Sequence, residues 1–341
     1  MRLERILVLG ATGYVGSRLV LRLLSEGYRV RASWRSENKL LSCSWSDDPR
    51  VELVQTDVRD QESLYKAVEG CHAAFYLIHS MYAGSRFSQM DTLASKNMVE
   101  TSRDSDLQRI VYLGGLGTTE DSLSPHLRSR AKVGRILQSG PVPVTILRAA
   151  MILGAGSASF EILRYLVERL PLMTTPRWVR TNTQPIAISN ALEYLVKCLD
   201  EPDTSNRTLD IGGPAVTTYE SLMKVYAEVA GLVKRVIIPI PLLTPSLSSY
   251  WLKLVTPVPL ALARPLIESL RNETVCESNE IRTLIPQRLL SYREAFRRAL
   301  ADPRRKPSSS YPESEVMPFV PEWAQPSDPR WASGPSLRLP F

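Results

Sequence analysis

The chain has 341 residues, of which 44% are hydrophobic, and a formal net charge of +7 at pH 7. This length can bury a large core and more than one domain-sized unit, and the hydrophobic fraction is that of ordinary globular proteins. Charges of both signs are mixed along the chain, which predicts a solvated surface rather than a nucleic-acid-binding tract. The sequence shows no zinc-finger, RNP or helix-turn-helix pattern, and no nucleic-acid partner is expected.

The four cysteines are Cys43, Cys71, Cys198 and Cys276, and no two of them form a CxxC pair. We therefore expect neither a metal site nor a redox pair. Sparse, unpaired cysteines are typical of a reducing cytoplasm. The first apolar run is too short for a signal peptide, which also favours a cytoplasmic protein.

The first chemical motif is the stretch ILVLGATGYVG at 6–16. Four apolar residues predict a buried strand, three glycines follow at three-residue spacing, and an amphipathic helix then begins. In this order the three features form a site for a dinucleotide pyrophosphate, because bare backbone admits the phosphates and free N–H groups receive them. The residues expected to hold the nucleotide here are Gly10, Thr12, Gly13, Tyr14, Val15 and Gly16.

Strand and helix patterns alternate through the first 150 residues. The predicted strands are 6–9, 28–34, 51–55, 73–78, 109–113 and 144–147, and the predicted helices are 17–26, 61–69, 88–105 and 126–139. This alternation predicts an α/β fold with a doubly wound parallel sheet of the Rossmann type.

The second half predicts a smaller mixed lobe. Its expected elements are a helix at 159–170 with Ser159 as N-cap, a loop at 171–185, a strand and helix at 186–199, a return strand at 206–213, a helix at 219–230 capped by Thr217 or Thr218, and a last helix opened by a capping box of Ser291 and Glu294. The predicted domains are a Rossmann core at 1–155 completed by 184–213, a substrate lobe at 156–183 and 214–300, and a Pro/Ser-rich tail at 301–341.

Residues 236–270 are apolar and rich in proline, and only Lys253, Arg264 and Glu268 are charged. The prolines exclude a straight membrane-spanning helix. Two interpretations stay open: a set of short core segments in the second lobe, or a surface that contacts a membrane or a protein complex.

The end of the second predicted strand favours NADPH over NADH. NAD-specific sites place an acid about twenty residues past the glycine turn, but no acid occurs between Gly27 and Ser36. Arg31 and Arg35 stand in that region, with Lys39 beyond, and a cation suits the 2′-phosphate of NADPH. Arg35 is the first candidate, and an ordinary surface charge is the alternative.

Open parallel sheets bind ligands at the carboxyl ends of their strands. Leu77, Ile78 and His79 follow the fourth predicted strand, so we expect them to line the site. The loop at 174–184 adds Arg177, Trp178, Arg180 and Gln184, which suit an anionic or planar substrate unless the loop is purely structural.

The GxxGxxG spacing, with Ala11 and Thr12 inside it, resembles the short-chain dehydrogenase/reductase superfamily in its atypical and extended branches, close to the NmrA-like and epimerase-like groups. Further similar segments are LRAA at 147–150 with Gly154 and Gly156, QPIAI at 184–188 followed by Asn190, and IGGP at 211–214. The resemblance covers about residues 3–230 and implies an NAD(P)-binding Rossmann fold. It also implies that Asp57, with Val58 beside it, meets the adenine amino group, whereas a loop or helix cap is the alternative for Asp57.

The catalytic signature departs from the family. Familiar members carry a Ser after the fifth strand and then Tyr-x-x-Ser-Lys, but here the fifth strand ends in LGGLG at 113–117. In register, His126, Ser129 and Arg130 stand for Tyr, Ser and Lys. An imidazole with a pKa near 6.5 predicts His126 as a general acid, with His79 as another proton source. Arg130 is expected to hold ribose hydroxyls or a substrate oxyanion. The alternative is that His126 is a surface residue and the acid is lost.

The first function hypothesis is an NADPH-dependent oxidoreductase that transfers hydride to a carbonyl or an activated double bond. The alternative is a non-catalytic NADP(H)-binding regulator or assembly factor, docked to a membrane or complex through 236–270. An epimerase or dehydratase is a third hypothesis, weakened because those enzymes also use the missing tyrosine. Specificity resides in loops without a motif, so the substrate and the oligomeric state stay open.

Overall fold

The structure is a computed structural model and describes residues 4–80, 86–117, 123–240 and 256–301. Its strands in chain order are β1 (Arg5–Leu9), β2 (Arg29–Trp34), β3 (Val51–Gln55), β4 (Ala73–Tyr76), β5 (Arg109–Gly115), β6 (Val144–Ala149), β7 (Ile152–Leu153), β8 (Leu172–Pro176), β9 (Asn182–Thr183), β10 (Ile186–Ala187), β11 (Thr208–Ile211), β12 (Thr217–Thr218) and β13 (Val236–Ile240).

The α-helices are α1 (Tyr14–Ser25), α2 (Glu37–Leu41), α3 (Gln61–Val68), α4 (Phe87–Arg103), α5 (Pro125–Gln138), α6 (Ala158–Arg169), α7 (Ile188–Lys197), α8 (Tyr219–Val229), α9 (Leu260–Ser269), α10 (Ile281–Leu284) and α11 (Tyr292–Leu300). Short 3-10 helices cover Arg177–Arg180 and Pro202–Thr204.

A seven-stranded sheet forms the centre of the described chain, in the order β11-β6-β5-β4-β1-β2-β3. Every neighbouring pair in it is parallel. The predicted doubly wound α/β fold is therefore confirmed. The strand order reverses between β1 and β4, and in such sheets the crevice at the carboxyl ends of the strands flanking the reversal is the ligand site.

Both faces of the sheet are buried, as its nearly continuous apolar strands require. Ile6 and Val8 of β1 belong to an apolar cluster that includes residues of α1 and α7. The alternate residues Leu7 and Leu9 belong to a second cluster that includes residues of α3, α4 and α5. Because successive side chains of a strand point to opposite faces, one short strand anchors both layers.

A third apolar cluster joins α6, α8 and α11. Its centre is Phe160, Tyr226 and Phe296, whose ring centroids lie 5.5–6.0 Å apart. Thr218 caps α8 by accepting a hydrogen bond from the Ser221 N–H, and Ser291 and Glu294 form the predicted capping box of α11. These cap predictions are confirmed.

Two local predictions are wrong. The N-cap of α6 is Ser157 rather than Ser159, because Ser157 has extended backbone and its carbonyl accepts the first helical hydrogen bond, from the Glu161 N–H at 2.8 Å. The predicted loop at 171–185 contains β8, a 3-10 helix and β9. Strand β8 pairs in parallel with β13, more than sixty residues further along the chain, and local sequence does not reveal such a partner.

The apolar stretch 236–270 contributes β13 and α9, while 241–255 lies outside the described residues. Most of the predicted tail, 302–341, also lies outside them. Within the described ranges, no helix combines the length and apolar character needed to cross a membrane. All four cysteines are free thiols.

Candidate nucleotide site and histidine pair

The glycine turn joins β1 to α1 at the carboxyl edge of the sheet. Gly10 has a φ of +87°, a left-handed conformation that favours glycine, and its carbonyl accepts from the Gly13 N–H at 3.0 Å. A Cβ on Gly16 would lie 2.1 Å from the Gly10 carbonyl oxygen. Gly16 is therefore required by the packing of the turn itself.

Gly13 has a different environment, because a Cβ there would meet only the Gly10 oxygen, at 3.2 Å. Gly13 is the exposed N-cap of α1, and no side chain caps that helix. In an α-helix the first N–H groups have no partner within the helix itself. Open space above such a helix start is what a pyrophosphate needs, so this cradle fits a dinucleotide.

Two further residues, which the sequence analysis missed, hold the turn in place. The Ser33 hydroxyl accepts from the Gly10 N–H at 3.1 Å and so ties the turn to β2. Arg18 is fully buried; its guanidinium lies 4.5 Å from the centroid of the Tyr14 ring and donates to the Ala155 carbonyl at 2.8 Å. In the sequence, the contacts of Arg18 are indicated only by the position of this arginine on the apolar face of α1.

The structure distinguishes the two arginines of β2 and its end that are candidates for binding the 2′-phosphate. Arg31 is buried, donates to the carbonyls of Ala67 and Glu69 at 3.0 and 2.6 Å, and pairs with Glu52. Arg31 is thus unavailable to a 2′-phosphate, and its candidacy was wrong. Arg35 is exposed, and no hydrogen bond or ion pair from the described part of the chain holds it.

Hydrogen bonds donated by Arg59 are the main cause that lowers the pKa of the Asp57 carboxyl. The charge of Arg35, which lies near Asp57, lowers this pKa further. The Arg59 Nε lies 2.9 Å from Oδ1 of Asp57, and Nη2 binds the other oxygen. Val58 is buried against the α3–α4 side of the sheet. The structure thus brings Asp57 and Arg35 to the same end of the crevice, with Asp57 already engaged by Arg59.

The wall predicted after β4 lies directly beside the glycine turn. The Leu77 N–H donates to the Leu9 carbonyl at 3.0 Å, and a Cβ on Gly10 would approach the Leu77 oxygen to 3.1 Å. Leu77, Ile78 and His79 are all half-buried. The chain after β4 therefore forms one side of the crevice next to the turn.

His79 and His126 meet although 47 residues separate them in the sequence. Nε2 of His79 lies 3.0 Å from Nδ1 of His126, and the rings stack with centroids 4.8 Å apart. The other nitrogen of His79, Nδ1, lies 3.3 Å from a carboxylate oxygen of Asp91 on α4. The same Asp91 oxygen accepts from the Ser129 hydroxyl at 3.2 Å, and its second oxygen accepts from the Ser80 N–H at 2.9 Å. Asp91 was missed because an acid inside an amphipathic helix pattern gives no sign that it is buried.

These contacts determine which ring nitrogen of each histidine carries a proton. Burial pushes the pKa of Asp91 upward, but the hydrogen bonds from His79 and Ser80 outweigh it and hold the pKa below its usual value. Asp91 is thus a carboxylate, which accepts the Nδ1 proton of His79. Nε2 of neutral His79 is then an acceptor, so His126 donates its own Nδ1 proton. Nε2 of His126 remains as a bare nitrogen without a hydrogen bond from any described residue.

Both imidazoles are harder to protonate than a free one. Burial, helped by the Arg130 charge, lowers the pKa of His79 by more than Asp91 raises it. Burial, followed by the charges of His79 and Arg130, holds the pKa of His126 well below its usual value. The expectation of a pKa near 6.5 for His126 was therefore wrong, as was the alternative of a surface residue, because His126 is buried.

Arg130 is turned toward β5. Its Nη2 donates to the Leu113 carbonyl, and its guanidinium carbon lies 6.0 Å from the centroid of the Tyr112 ring. A Cβ on Gly115 would lie 2.8 Å from Leu127 and 3.4 Å from Arg130. The side chains of α5 thus occupy the space beside Gly115, which explains why this strand end carries glycine.

The segment 272–277 runs across the carboxyl edge of the sheet. Its contacts are Asn272 Oδ1 with the Ser124 N–H at 2.9 Å, Thr274 with Thr183 at 2.9 Å, the Cys276 N–H with Gln184 at 3.0 Å, and the Glu277 N–H with Asp210 at 2.9 Å. The first contact lies at the N-cap of α5, two residues before His126. This segment therefore helps to fix the helix that carries the histidine.

Two predicted substrate contacts are used internally instead. Gln184 is buried and also donates to the Gly213 carbonyl, and Arg180 pairs with Glu220. For these two residues the structural alternative is the one that the contacts support. Asn190, which follows the similar segment QPIAI, donates to Gln287 and to the Arg288 carbonyl and accepts from the Leu290 N–H, so it holds the turn before α11.

Residues 10–164 match the family model described as NAD(P)H-binding. The chain is 24% identical over 306 residues to NADH dehydrogenase (ubiquinone) 1 alpha subcomplex subunit 9, mitochondrial, of Arabidopsis thaliana, covering 85% of this chain and 76% of that protein. It is 23% identical over 232 residues to Photosystem II assembly factor Ycf39 of Trieres chinensis, covering 66% and 69%.

Among solved structures, the NADP(H) complex of Citrobacter sp. triphenylmethane reductase aligns with a TM-score of 0.68 and 21% identity, covering 86% of this chain and 100% of the reductase. At this identity the likeness concerns the fold. Together with the matched family model and the seven-stranded parallel sheet, it establishes that the chain carries an NAD(P)-binding Rossmann-type domain. The predicted resemblance to short-chain dehydrogenase/reductase-type proteins is confirmed at this level.

Proposed function

We propose that this chain is an NADP(H)-dependent oxidoreductase in which His126, backed by His79 and Asp91, exchanges a proton with the substrate oxygen. The observation that supports this most is the 3.0 Å contact between Nε2 of His79 and Nδ1 of His126. A carboxylate, a first imidazole and a second imidazole stand in line at the carboxyl edge of the sheet. The absent tyrosine and lysine thus have a chemical substitute.

The line of groups can move one proton without separating charge over a long distance. When Nε2 of His126 accepts a proton, the Nδ1 proton can pass to Nε2 of His79. The resulting imidazolium then lies beside the Asp91 carboxylate, which stabilises it. His126 therefore acts as the base that removes a hydroxyl proton, and its protonated form returns a proton to a carbonyl oxygen.

The dinucleotide would lie with its pyrophosphate on the N–H groups after Gly13 and its 2′-phosphate near Arg35; when bound, NADPH supplies the hydride. Because both histidines are neutral at neutral pH, the bare Nε2 suits alcohol oxidation there. Carbonyl reduction needs the protonated form, so its rate should rise as the pH falls. The substrate class is a carbonyl or quinone and the corresponding alcohol.

Fluorescence titration with NADPH and NADH, followed by turnover assays on a carbonyl and quinone panel, tests this function. We expect tighter binding of NADPH and turnover of at least one panel member. His126→Ala should lower turnover at least tenfold and leave NADPH affinity unchanged. The matched control is His72→Ala, which removes an exposed histidine at the opposite end of β4. Unchanged turnover in His126→Ala would contradict the proposal.

A second candidate function is a non-catalytic NADP(H)-binding component of a protein complex. The strand end LGGLG at 113–117 has glycine where short-chain dehydrogenases/reductases carry Ser, and Arg130 stands for their Lys. Two relatives are named as a subunit of NADH dehydrogenase (ubiquinone) and as a Photosystem II assembly factor. NADPH binding without turnover on any member of the panel would favour this candidate.

A further inference from the structure

An exposed apolar strip lies on the paired strands β8 and β13. Leu172 and Val236 are register partners, and Ile238 follows on the same face of β13. Their exposed fractions are 57%, 52% and 46%, and Val233 on the approach to β13 is 53% exposed. The intervening residues Met173 and Ile237 face the core. The alternation is therefore that of a half-buried sheet, and its outward face is mainly apolar, with Thr174 beside Ile238 as the polar member.

The two sequence segments that supply this strip carry cations and no acids. In the sequence, neither 169–192 nor 229–267, which supply β8 and β13, contains an aspartate or a glutamate. Lys234 precedes β13 and Arg177 follows β8, so exposed cations stand at both ends of the strip. No residue of the described ranges forms an ion pair with either of them, whereas the nearby Arg180 pairs with Glu220.

An apolar face flanked by unpaired cations complements an anionic lipid surface. Apolar side chains enter the boundary between headgroups and acyl chains, and Lys or Arg beside them gain from the negative surface potential. We propose that the strip of Leu172, Val236 and Ile238, with Lys234 and Arg177 at its ends, docks the protein on the surface of an anionic membrane. The docking is peripheral, because the face is a two-stranded sheet and not a spanning element.

The proposal is tested by sedimentation of the full chain with vesicles, either of phosphatidylcholine alone or of equal parts phosphatidylcholine and phosphatidylglycerol. We expect binding to the anionic vesicles only, weakened by added salt. Val236→Thr with Ile238→Thr, which keeps β-branched residues in the strand, should weaken binding about tenfold or more. Lys234→Gln with Arg177→Gln should weaken it about 25-fold, at roughly fivefold for each cation.

The controls make comparable substitutions, apolar to Thr and cation to Gln, at exposed positions elsewhere. Leu53→Thr changes an exposed apolar residue on the edge strand β3, and Lys96→Gln with Lys132→Gln removes two exposed cations on α4 and α5. These controls should bind vesicles like the unaltered chain. Circular dichroism and a thermal melt check that each variant is folded, and the charge variant tests the proposal even if the threonine variant unfolds.

Absence of binding to anionic vesicles overturns the proposal, as does an equal loss in the control variants. If Val236→Thr with Ile238→Thr instead converts a dimer into a monomer, and the unaltered chain does not bind vesicles, the strip contacts a second copy and not a membrane. None of these measurements needs enzymatic turnover, so their outcome is separate from that of the proposed oxidoreductase function.

Discussion

Substitution of Asp91 by asparagine tests the histidine line with almost no change in shape. One oxygen of Asp91 accepts from the Ser80 N–H at 2.9 Å, and the other faces Nδ1 of His79 at 3.3 Å. In the variant, the amide oxygen must accept from the Ser80 N–H, because turning the amide would place its NH2 group, a donor, against the Ser80 N–H, another donor. The amide NH2 then faces Nδ1 of His79 and forces the proton of that ring to Nε2.

The consequence passes along the line to the reacting atom. Nε2 of His79 would now donate to Nδ1 of His126, so the proton of His126 moves to its own Nε2, and the base is lost. Restoring the original tautomers requires turning the amide and leaving the half-buried Ser80 N–H without its acceptor, which costs about 1–3 kcal/mol. We therefore expect alcohol oxidation to fall roughly 5- to 150-fold, with NADP(H) affinity unchanged.

Nitrogen-detected NMR of the imidazoles measures the tautomers directly and needs no substrate. The chain has only three histidines, and His72→Ala assigns the exposed one. In the unaltered chain, His79 and His126 should both carry their proton on Nδ1, the less common tautomer. In Asp91→Asn both should carry it on Nε2. A proton on Nε2 of His126 before substitution, or tautomers unaltered by it, would refute the reasoning.

Three further predictions concern stability and cofactor binding. In the unfolded chain His79 and His126 become protonated below about pH 6.5, whereas burial lowers both pKa values in the folded protein. The unfolded state therefore binds more protons, and urea denaturation should show that the free energy of unfolding decreases as the pH is lowered below about 6.5. The decrease should be less steep in His126→Gln. Gly16→Ala should destabilise the fold, since its Cβ would lie 2.1 Å from a carbonyl oxygen. Equal melting temperatures for Gly16→Ala and the unaltered chain would argue against this packing role. Gly13→Val, in contrast, should remain folded and lose NADPH binding. Arg35→Ala should weaken NADPH binding about tenfold or more and leave NADH binding unchanged, and equal losses for both nucleotides would remove Arg35 from the 2′-phosphate site.

The nucleotide-binding half was predictable because its signals are local. Apolar residues at 6–9, glycines at fixed spacing and the amphipathic pattern of α1 lie within one short stretch, and the conformation of that stretch depends mainly on its own residues. The alternation of strands and helices likewise predicts the parallel sheet, since a parallel connection needs a crossover. The capping box at Ser291 was visible for the same reason.

Contacts between distant segments were decided only by the tertiary structure. Arg31 and Arg35 look alike in sequence, but the carbonyls at the end of α3 bind the first and leave the second exposed. Strand β8 forms only because β13 returns beside it. His79, Asp91 and His126 come from three segments that the sheet brings to one edge. Burial there keeps both histidines neutral, and the hydrogen bonds made there keep Asp91 ionised. The sequence by itself determined the glycine turn that we propose binds a dinucleotide, because that turn is one continuous stretch. The groups proposed to transfer a proton depend on packing between segments, which no local pattern encodes.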